Sequence, residues 1–291
     1  MDIMDIGCRI FIIGFLIWTC SLVGIHAQSV EYTAADSIRI EQLLKQAQRE
    51  KPENVMMYFG KQFLGVPYVG HTLEEGDKEH LIINTRGLDC TTFVENVLAL
   101  YLCYHAKASS FQAFCGQLRT IRYRGGKLTD YTSRLHYFTW WGEDNEAKGI
   151  VKTVDTGKFP FTSTQKLNIN YMSTHPTLYK HLKANPQFIK VIAAQEKASN
   201  GKTYRYIPKS LLNRSESELQ SVHTGDIVSL ITKKEGLDTS HVGIAVWQQG
   251  KLHLMHASSL NKKVVLDPTT FYDYGQKQTS MLGIRVYTVV H

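Results

Sequence analysis

The chain has 291 residues, 43% hydrophobic and 20% charged, with a formal net charge of +7. Its 12 Phe, 15 Tyr and 4 Trp supply a core and exclude disorder as the main state, and its 21 Gly and 7 Pro show no period, which excludes collagen-like and solenoid architectures. The one long apolar run excludes a multi-span membrane protein.

That run comes first. Arg9 precedes an uncharged stretch from Ile10 to Ile25, followed by His26-Ala27. A short apolar core ending in a small residue predicts a secretory signal over residues 1–27, cleaved after Ala27, with 28–291 as a single domain. The run is short of the roughly 20 residues a membrane span needs, so no stable span is expected once the signal is removed. Asp2 and Asp5 leave the leader poorly basic, which allows initiation at Met4, and Trp18-Thr19 before Cys20 lacks the small residues of a lipoprotein site. The reading is an exported, periplasmic protein; the alternative is attachment to the membrane through an uncleaved N-terminus. Losing one Arg and two Asp with the signal raises the net charge from +7 to +8. Such a balance suits an acidic partner, whether nucleic acid, membrane surface or cell-wall polymer. Export argues against nucleic acid, and the scattered Lys and Arg read mostly as solvated surface. Cys8 and Cys20 leave with the signal, so Cys90, Cys103 and Cys115 remain. An odd count leaves at least one free thiol, a liability in an oxidising compartment unless it does chemistry. The other two either pair or sit buried.

Residues 34–51 predict a helix with Ile38, Leu43, Leu44 and Ala47 near one face, and Glu53–Leu64 a second with Val55, Met56, Phe59 and Phe63. Gly65-Val66-Pro67-Tyr68 ends it with turn chemistry, and a charged loop runs from His71 to Arg86. Asp89-Cys90-Thr91-Thr92 opens a third helix to about His105, broadly apolar through Phe93, Val97, Leu98, Tyr101 and Leu102. From Arg119 to Gln220 the pattern loosens, punctuated by Gly125-Gly126, Gly142, Gly149, Pro160, Pro176 and Pro186, and reads as inserted strands and loops. From Gly225 onward the signal is β: Asp226–Ile231, His241–Trp247, Leu252–Ala257, Lys263–Leu266 and Gly283–Val290. The expected fold class is α+β, N-terminal helices packed on an antiparallel sheet, with residues 119–220 as a long insertion.

Cys90 stands at the start of the strongest helix, where free N–H groups and the helix dipole favour a thiolate, so a lowered pKa and a nucleophilic role are expected. A buried structural cysteine fits the same position. A nucleophile needs a base, and twelve His do not choose one by number. Position is more informative. A turn at Gln249-Gly250 with Gln248 opposite Lys251 places Gly243 opposite His256 and Ser258 opposite His241. The two histidines then share a face as diagonal neighbours, with backbones roughly 7–8 Å apart. One imidazole can orient the other, whereas a slip of one residue would part them. His253 and His256 point to opposite faces of a strand, which argues against zinc ligation. The run Ser133-Arg134-Leu135-His136-Tyr137-Phe138-Thr139-Trp140-Trp141 is either a cleft wall for sugar or peptide or core packing with a snorkelling Arg. No phosphate loop, dinucleotide fingerprint or zinc-protease helix appears, and neither a cofactor nor a metal is expected.

Five segments in order then resemble a known superfamily: Gly65-Val66-Pro67-Tyr68, Leu88-Asp89-Cys90-Thr91-Thr92-Phe93-Val94, Gly225-Asp226-Ile227-Val228, Ser240-His241-Val242-Gly243-Ile244-Ala245 and His256-Ala257-Ser258. They are similar to the NlpC-type, papain-like cell-wall cysteine hydrolases, and Tyr131–Tyr137 resembles the N-acetylmuramoyl-L-alanine amidase-like branch. The resemblance implies Cys90 as nucleophile, His241 as base, His256 as orienting third member and Tyr68 as oxyanion donor. It implies Asp89 as a helix-start and substrate-side group, and Arg134, His136 and Tyr137 as substrate contacts. Thr91-Thr92 replace the common Ser-Gly after the cysteine, which favours the amidase-like branch. The implied reaction is hydrolysis of the lactyl–L-Ala amide of peptidoglycan fragments, soluble muropeptides, since no separate sugar-binding module is visible. The alternatives are a D-glutamyl–diamino-acid endopeptidase of the stem peptide, a non-catalytic muropeptide-binding protein, a glycosidase and a metal amidase.

Overall fold

The computed structural model describes residues 30–290; the expected signal segment, with Cys8 and Cys20, lies outside the described residues. A short parallel pair, β1 (Val30–Glu31) with β2 (Leu81–Ile82), ties the start of the described chain to the charged loop. Helix α1 (Ala34–Glu50) starts at a Thr33 cap whose N–H and hydroxyl both donate to Asp36. Asp36 also accepts from Thr85 N and Oγ1 at 2.9 and 2.8 Å, so the cap pins the loop. The buried face of α1 is Ile40, Leu43, Leu44 and Ala47; Ile38, expected on it, is 56% exposed, because two residues along a helix is more than half a turn. Helix α2 (Val55–Gln62) is capped by Asn54, and α3 (Cys90–His105) is buried almost all round, as an apolar helix must be. Helix α4 (Phe111–Arg122) packs beside it.

The middle of the chain differs from the expected strands and loops. It carries α5 (Phe138–Ala147), β3 (Val151–Val154), β4 (Ser163–Lys166), two short helices, α6 (Tyr171–Thr174) and α7 (Lys180–Ala184), then α8 (Pro186–Ser199) and β5 (Thr203–Pro208). Pro186, read as punctuation, sits in the first turn of α8, where its missing N–H costs nothing. The remaining elements are β6 (Ile227–Thr232), β7 (Thr239–Gln248), β8 (Lys251–Ser258), β9 (Lys263–Leu266), an unanticipated α9 (Phe271–Lys277) capped by Thr270, and β10 (Met281–Val289).

The main sheet is antiparallel in the order β4-β5-β10-β6-β7-β8-β9, with β3 also on β10. Strands β3 and β5 share the edge of β10, at Val286–Val289 and at Gly283–Ile284, so the middle of the chain builds sheet rather than hanging from it. The α+β class holds, with helices packed on an antiparallel sheet. One core joins the helices to the sheet through Phe59, Phe93, Val97, Val242, Ile244 and Met255. A second lies on the opposite face under Leu230, Leu254, Phe271 and Val286. The β7–β8 hairpin turns at Gln249 and Gly250, φ +49° and +70°, the mirror-image turn whose twist matches its strands. Gln248 faces Lys251 and Ile244 faces Met255, the register on which the histidine pairing depends. Among the described residues no helix is long and apolar enough to cross a membrane.

Candidate active site

Asp89 is the N-cap of α3. Its Oδ1 accepts from Thr92 N and from Thr92 Oγ1, both at 2.8 Å, while Asp89 N donates back to Thr92 Oγ1 at 2.9 Å. This capping box makes Cys90 the first helical residue. Sequence reasoning expects that position to lower the thiol pKa, and the structure reverses the sign. Burial first and the Asp89 carboxylate second push the Cys90 thiol up to about 12; the opposing hydrogen bonds to the sulfur from Val242 N–H and from Thr91 do not overcome them. The cap that organises the helix start puts a full negative charge where the dipole offers a partial positive one. The resting group is therefore a thiol.

His241 reaches the same place from the sheet. In the β6–β7 ladder Leu230 faces His241 but Ile231 faces Thr239, leaving Ser240 as the extra residue of a bulge. Bulges re-aim neighbouring side chains, and this one directly precedes His241. His241 Nε2 lies 2.6 Å from His256 Nδ1, with the rings edge to face at 86°. Burial, then His256, lowers His241 to about 3, so its imidazole is a neutral base at rest. His256 is 1% exposed; its ring meets Tyr274 edge-on, and its Nε2 lies 3.4 Å from Asp267 Oδ2.

Two cavities meet at His241. One, of about 220 Å³, is lined by Cys90, His136, Tyr137, Tyr179, Asp238 and His241. The other, of about 160 Å³, is lined by Lys234, His241, His256, Ser258, Tyr274 and Gln278. Tyr68 is held by its N–H on Lys262 O at 2.9 Å and by a parallel bridge to Leu88. Its phenol is pushed up by burial, then by Cys90 and Asp89, so it stays a protonated donor close to the sulfur.

The Ser133–Trp141 run divides. His136 Nε2 donates to Tyr131 O at 2.8 Å and its ring lies against Tyr131, while burial, then Arg134, holds its pKa well below the ordinary value. It lines the cavity as a neutral imidazole. Tyr137 lines it too, but its hydroxyl is already committed, donating to Glu196 Oε1 at 2.7 Å and accepting from Met172 N at 3.0 Å; its ring is the part available to a ligand. Arg134 is engaged within the protein. It is 6% exposed and pairs with Glu74 at 2.8 Å and Glu79 at 3.2 Å, so both its charge and its fork are taken. It locks the charged loop to the core. Sequence reasoning missed Asp238, Tyr274 and Asp267. Asp238 Oδ2 accepts from Thr139 N at 2.6 Å at the start of α5, tying one cavity wall to the sheet. Asp267 carries a local signal, an Asx-turn to Thr269, but nothing in its neighbours in sequence says that it faces His256.

A helix-borne thiol and two hydrogen-bonded histidines on a sheet line the cavities that meet at His241, and the family and relatives that the chain matches make it a hydrolase acting on an amide bond. The AmiA-like family model, described as N-acetylmuramoyl-L-alanine amidase-like, matches residues 58–284, and the chain belongs to that family. It is 39% identical to a solved N-acetylmuramoyl-L-alanine amidase from Bacteroides uniformis ATCC 8492, over 84% of this chain and 100% of that one, with a TM-score of 0.76. It is 43% identical to a Bacteroides fragilis protein described as a putative xylanase, over 79% of this chain and 99% of that one, with a TM-score of 0.74. A Legionella pneumophila protein at 22% identity, covering 89% of this chain and 97% of that one, shares the fold at a TM-score of 0.67. No curated protein matches.

Proposed function

We propose that the protein is a papain-like, cysteine-dependent N-acetylmuramoyl-L-alanine amidase acting on muropeptides. The observation that carries the reading is the junction itself: Cys90 and His241 line one cavity, and His241 is hydrogen-bonded to His256 at 2.6 Å. The Cys90 thiol passes its proton to His241 as the sulfur attacks the lactyl carbonyl joining muramic acid to L-alanine. The oxyanion is met by the Tyr68 hydroxyl and by backbone N–H groups near Cys90, an arrangement that usually supplies the largest single contribution to rate. His241 then protonates the leaving amine of L-alanine, which frees the stem peptide and leaves a thioester on Cys90. Finally His241 takes a proton from water, hydroxide attacks the thioester, and the lactyl carboxylate departs as the thiol re-forms. Asp89 sets the helix start, and His136 and Tyr137 wall the substrate cavity.

The name carried by the Bacteroides fragilis relative suggests glycosidase chemistry, which needs two carboxyl groups facing one bond. The cavity at Cys90 is lined by a single carboxylate, Asp238, whose two oxygens already accept from Thr139 N and Thr239 N. The amide reading is the better supported. The apolar leader supports export, with residues 1–27 as signal and the periplasm as destination, and the net charge of +7 suits an acidic cell-wall partner. The deciding experiment incubates residues 28–291 and their Cys90→Ala variant with defined muropeptides and weighs the products. Free stem peptide beginning at L-alanine, from wild type only, is expected. A sugar still carrying L-alanine and D-glutamate would make the enzyme an endopeptidase, and no product from any muropeptide would leave a binding protein. Unchanged turnover in Cys90→Ala would end the cysteine mechanism.

A further inference from the structure

The base needs its lone pair on the right nitrogen. An imidazole has two, and which one carries the proton is set by whatever the other touches. His241 Nε2 faces His256 Nδ1 at 2.6 Å, and two histidines alone leave the direction of that bond undetermined. Something beyond the pair must choose. Resting on the cysteine mechanism above, we propose that Asp267 is a positioning residue that fixes the tautomers of both histidines, so that His241 presents Nδ1 as a free base toward Cys90.

The geometry runs in one direction only. Asp267 is 6% exposed, and its Oδ1 is committed, accepting from Thr269 N at 2.9 Å and Thr269 Oγ1 at 2.7 Å. Its Oδ2 is left to His256 Nε2 at 3.4 Å. His256 Nε2 is buried and meets no hydrogen-bond partner at full geometry among the described residues, so this 3.4 Å ion-pair contact with the carboxylate is what orients it. Burial opposes the Asp267 charge, but the bonds from His256 and Thr269 outweigh it and hold the carboxyl down to about 2, so the group is a carboxylate that can only accept. His256 must then carry its proton on Nε2 and offer Nδ1 as an acceptor. His241 must donate through Nε2, which leaves Nδ1 with the lone pair. When His241 takes the proton of Cys90, the positive charge is stabilised through His256 by the same carboxylate.

The Thr269 anchor gives this assignment an unusual test. In Asp267→Asn the backbone N–H of Thr269 still demands an acceptor, so the amide oxygen stays at the Oδ1 place and the NH2 takes the Oδ2 place. That NH2 donates to His256 Nε2, which moves the proton to Nδ1, turns the inter-histidine bond around and caps the base with hydrogen. Loss of the correct tautomer by this kind of isostere costs on the order of 10⁴ in kcat in a triad enzyme. Asp267→Ala leaves room for water and lets either tautomer form. The expectation is therefore an inverted order. Asn should be the gentler change for thermal stability and the harsher for chemistry. A merely structural role orders both readouts the same way, with Ala worse than Asn.

The experiment uses residues 28–291 and compares wild type, Asp267→Asn and Asp267→Ala. Three quantities are read: the melting temperature, the rate of Cys90 alkylation by iodoacetamide followed by mass spectrometry, and the ¹⁵N imidazole shifts of His241 and His256 in histidine-labelled protein. Wild type should show Nε2–H on both rings. Asp267→Asn should show Nδ1–H on both and the slowest alkylation, at least tenfold below wild type, while melting above Asp267→Ala. Unchanged ¹⁵N patterns in Asp267→Asn, or Ala slower than Asn in alkylation, would overturn the assignment. None of the three readouts needs a muropeptide, so failure of the substrate assignment and failure of Asp267 are told apart.

Discussion

The charge of Asp89 separates two effects that usually travel together, stability and thiol reactivity. Its carboxylate caps α3 through Thr92 N and Oγ1, and it also pushes the Cys90 thiol up. Replacing it by Asn keeps the cap, since Asn and Asp are equal there, and removes the charge. Replacing it by Ala removes both, and a lost cap costs about 1 kcal/mol. In a chain of this size that lowers the melting temperature by about 2–4 °C. A neighbouring charge in a half-solvated site contributes on the order of 1.4 kcal/mol, or one pKa unit. At pH 7, far below the thiol pKa, one unit raises the thiolate fraction about tenfold, while the less basic sulfur gives back about threefold in nucleophilicity. Both variants should therefore be alkylated by iodoacetamide about threefold faster at Cys90, and Ala alone should melt early. The pair of rates and melting curves checks this directly. Alkylation in Asp89→Asn that is no faster than wild type would refute the electrostatic account of the thiol. An equal loss of stability in Asn and Ala would refute the cap.

Arg134→Met should cost about 3–5 kcal/mol, since it leaves the Glu79 carboxylate buried beside Glu74 with no cation and only the Tyr123 hydroxyl on it, and a melting temperature lower by about 10 °C is expected. An unchanged melting temperature with a raised KM would return Arg134 to substrate binding. Stability should fall on acidification below pH 6.5: folded His241 refuses the proton until about pH 3, whereas the unfolded chain takes it at 6.5. The loss reaches at most about 1.4 kcal/mol per pH unit between those values, and His241→Gln should show a shallower decline in melts from pH 7 to pH 4. Cys103 and Cys115 are free and buried, with burial first and, for Cys103, its neighbour Cys115 pushing the thiols to about 12 and 11. Residues 28–291 in the native state should consequently be alkylated at Cys90 alone and at all three cysteines only after denaturation; prompt labelling at three sites would contradict the packing of α3 on α4.

The parts of the fold set by neighbours in sequence were legible. The Asp89 cap, the all-apolar α3 and the Gln249-Gly250 turn each declare themselves within a few residues, and that turn alone fixes the register that brings His241 to His256. The middle of the chain was not legible in the same way. Its glycines and prolines hide helices whose buried faces are completed by distant partners, as with Tyr137 on α8 through Glu196. Arg134 shows the cost of reading composition without topology. An arginine among aromatics looks like a ligand clamp until the loop 55–60 residues earlier supplies two carboxylates.

The reversal at Cys90 makes the same point about chemistry. A helix N-terminus is a favourable place for a thiolate only while it remains uncompensated, and the residue that defines this one is an anion. The cap and the nucleophile are adjacent in sequence, so both signals were present; what was missing was their relative weight, which depends on how deeply the sulfur is buried. The consequence for mechanism is specific. In the proposed mechanism the reaction starts from a neutral thiol and a neutral imidazole, so proton transfer accompanies attack and depends on the direction of the His241 lone pair. That places the burden on the far end of the chain of hydrogen bonds, at Asp267. There a carboxylate held by Thr269 has only one oxygen left to give, and it gives it to His256.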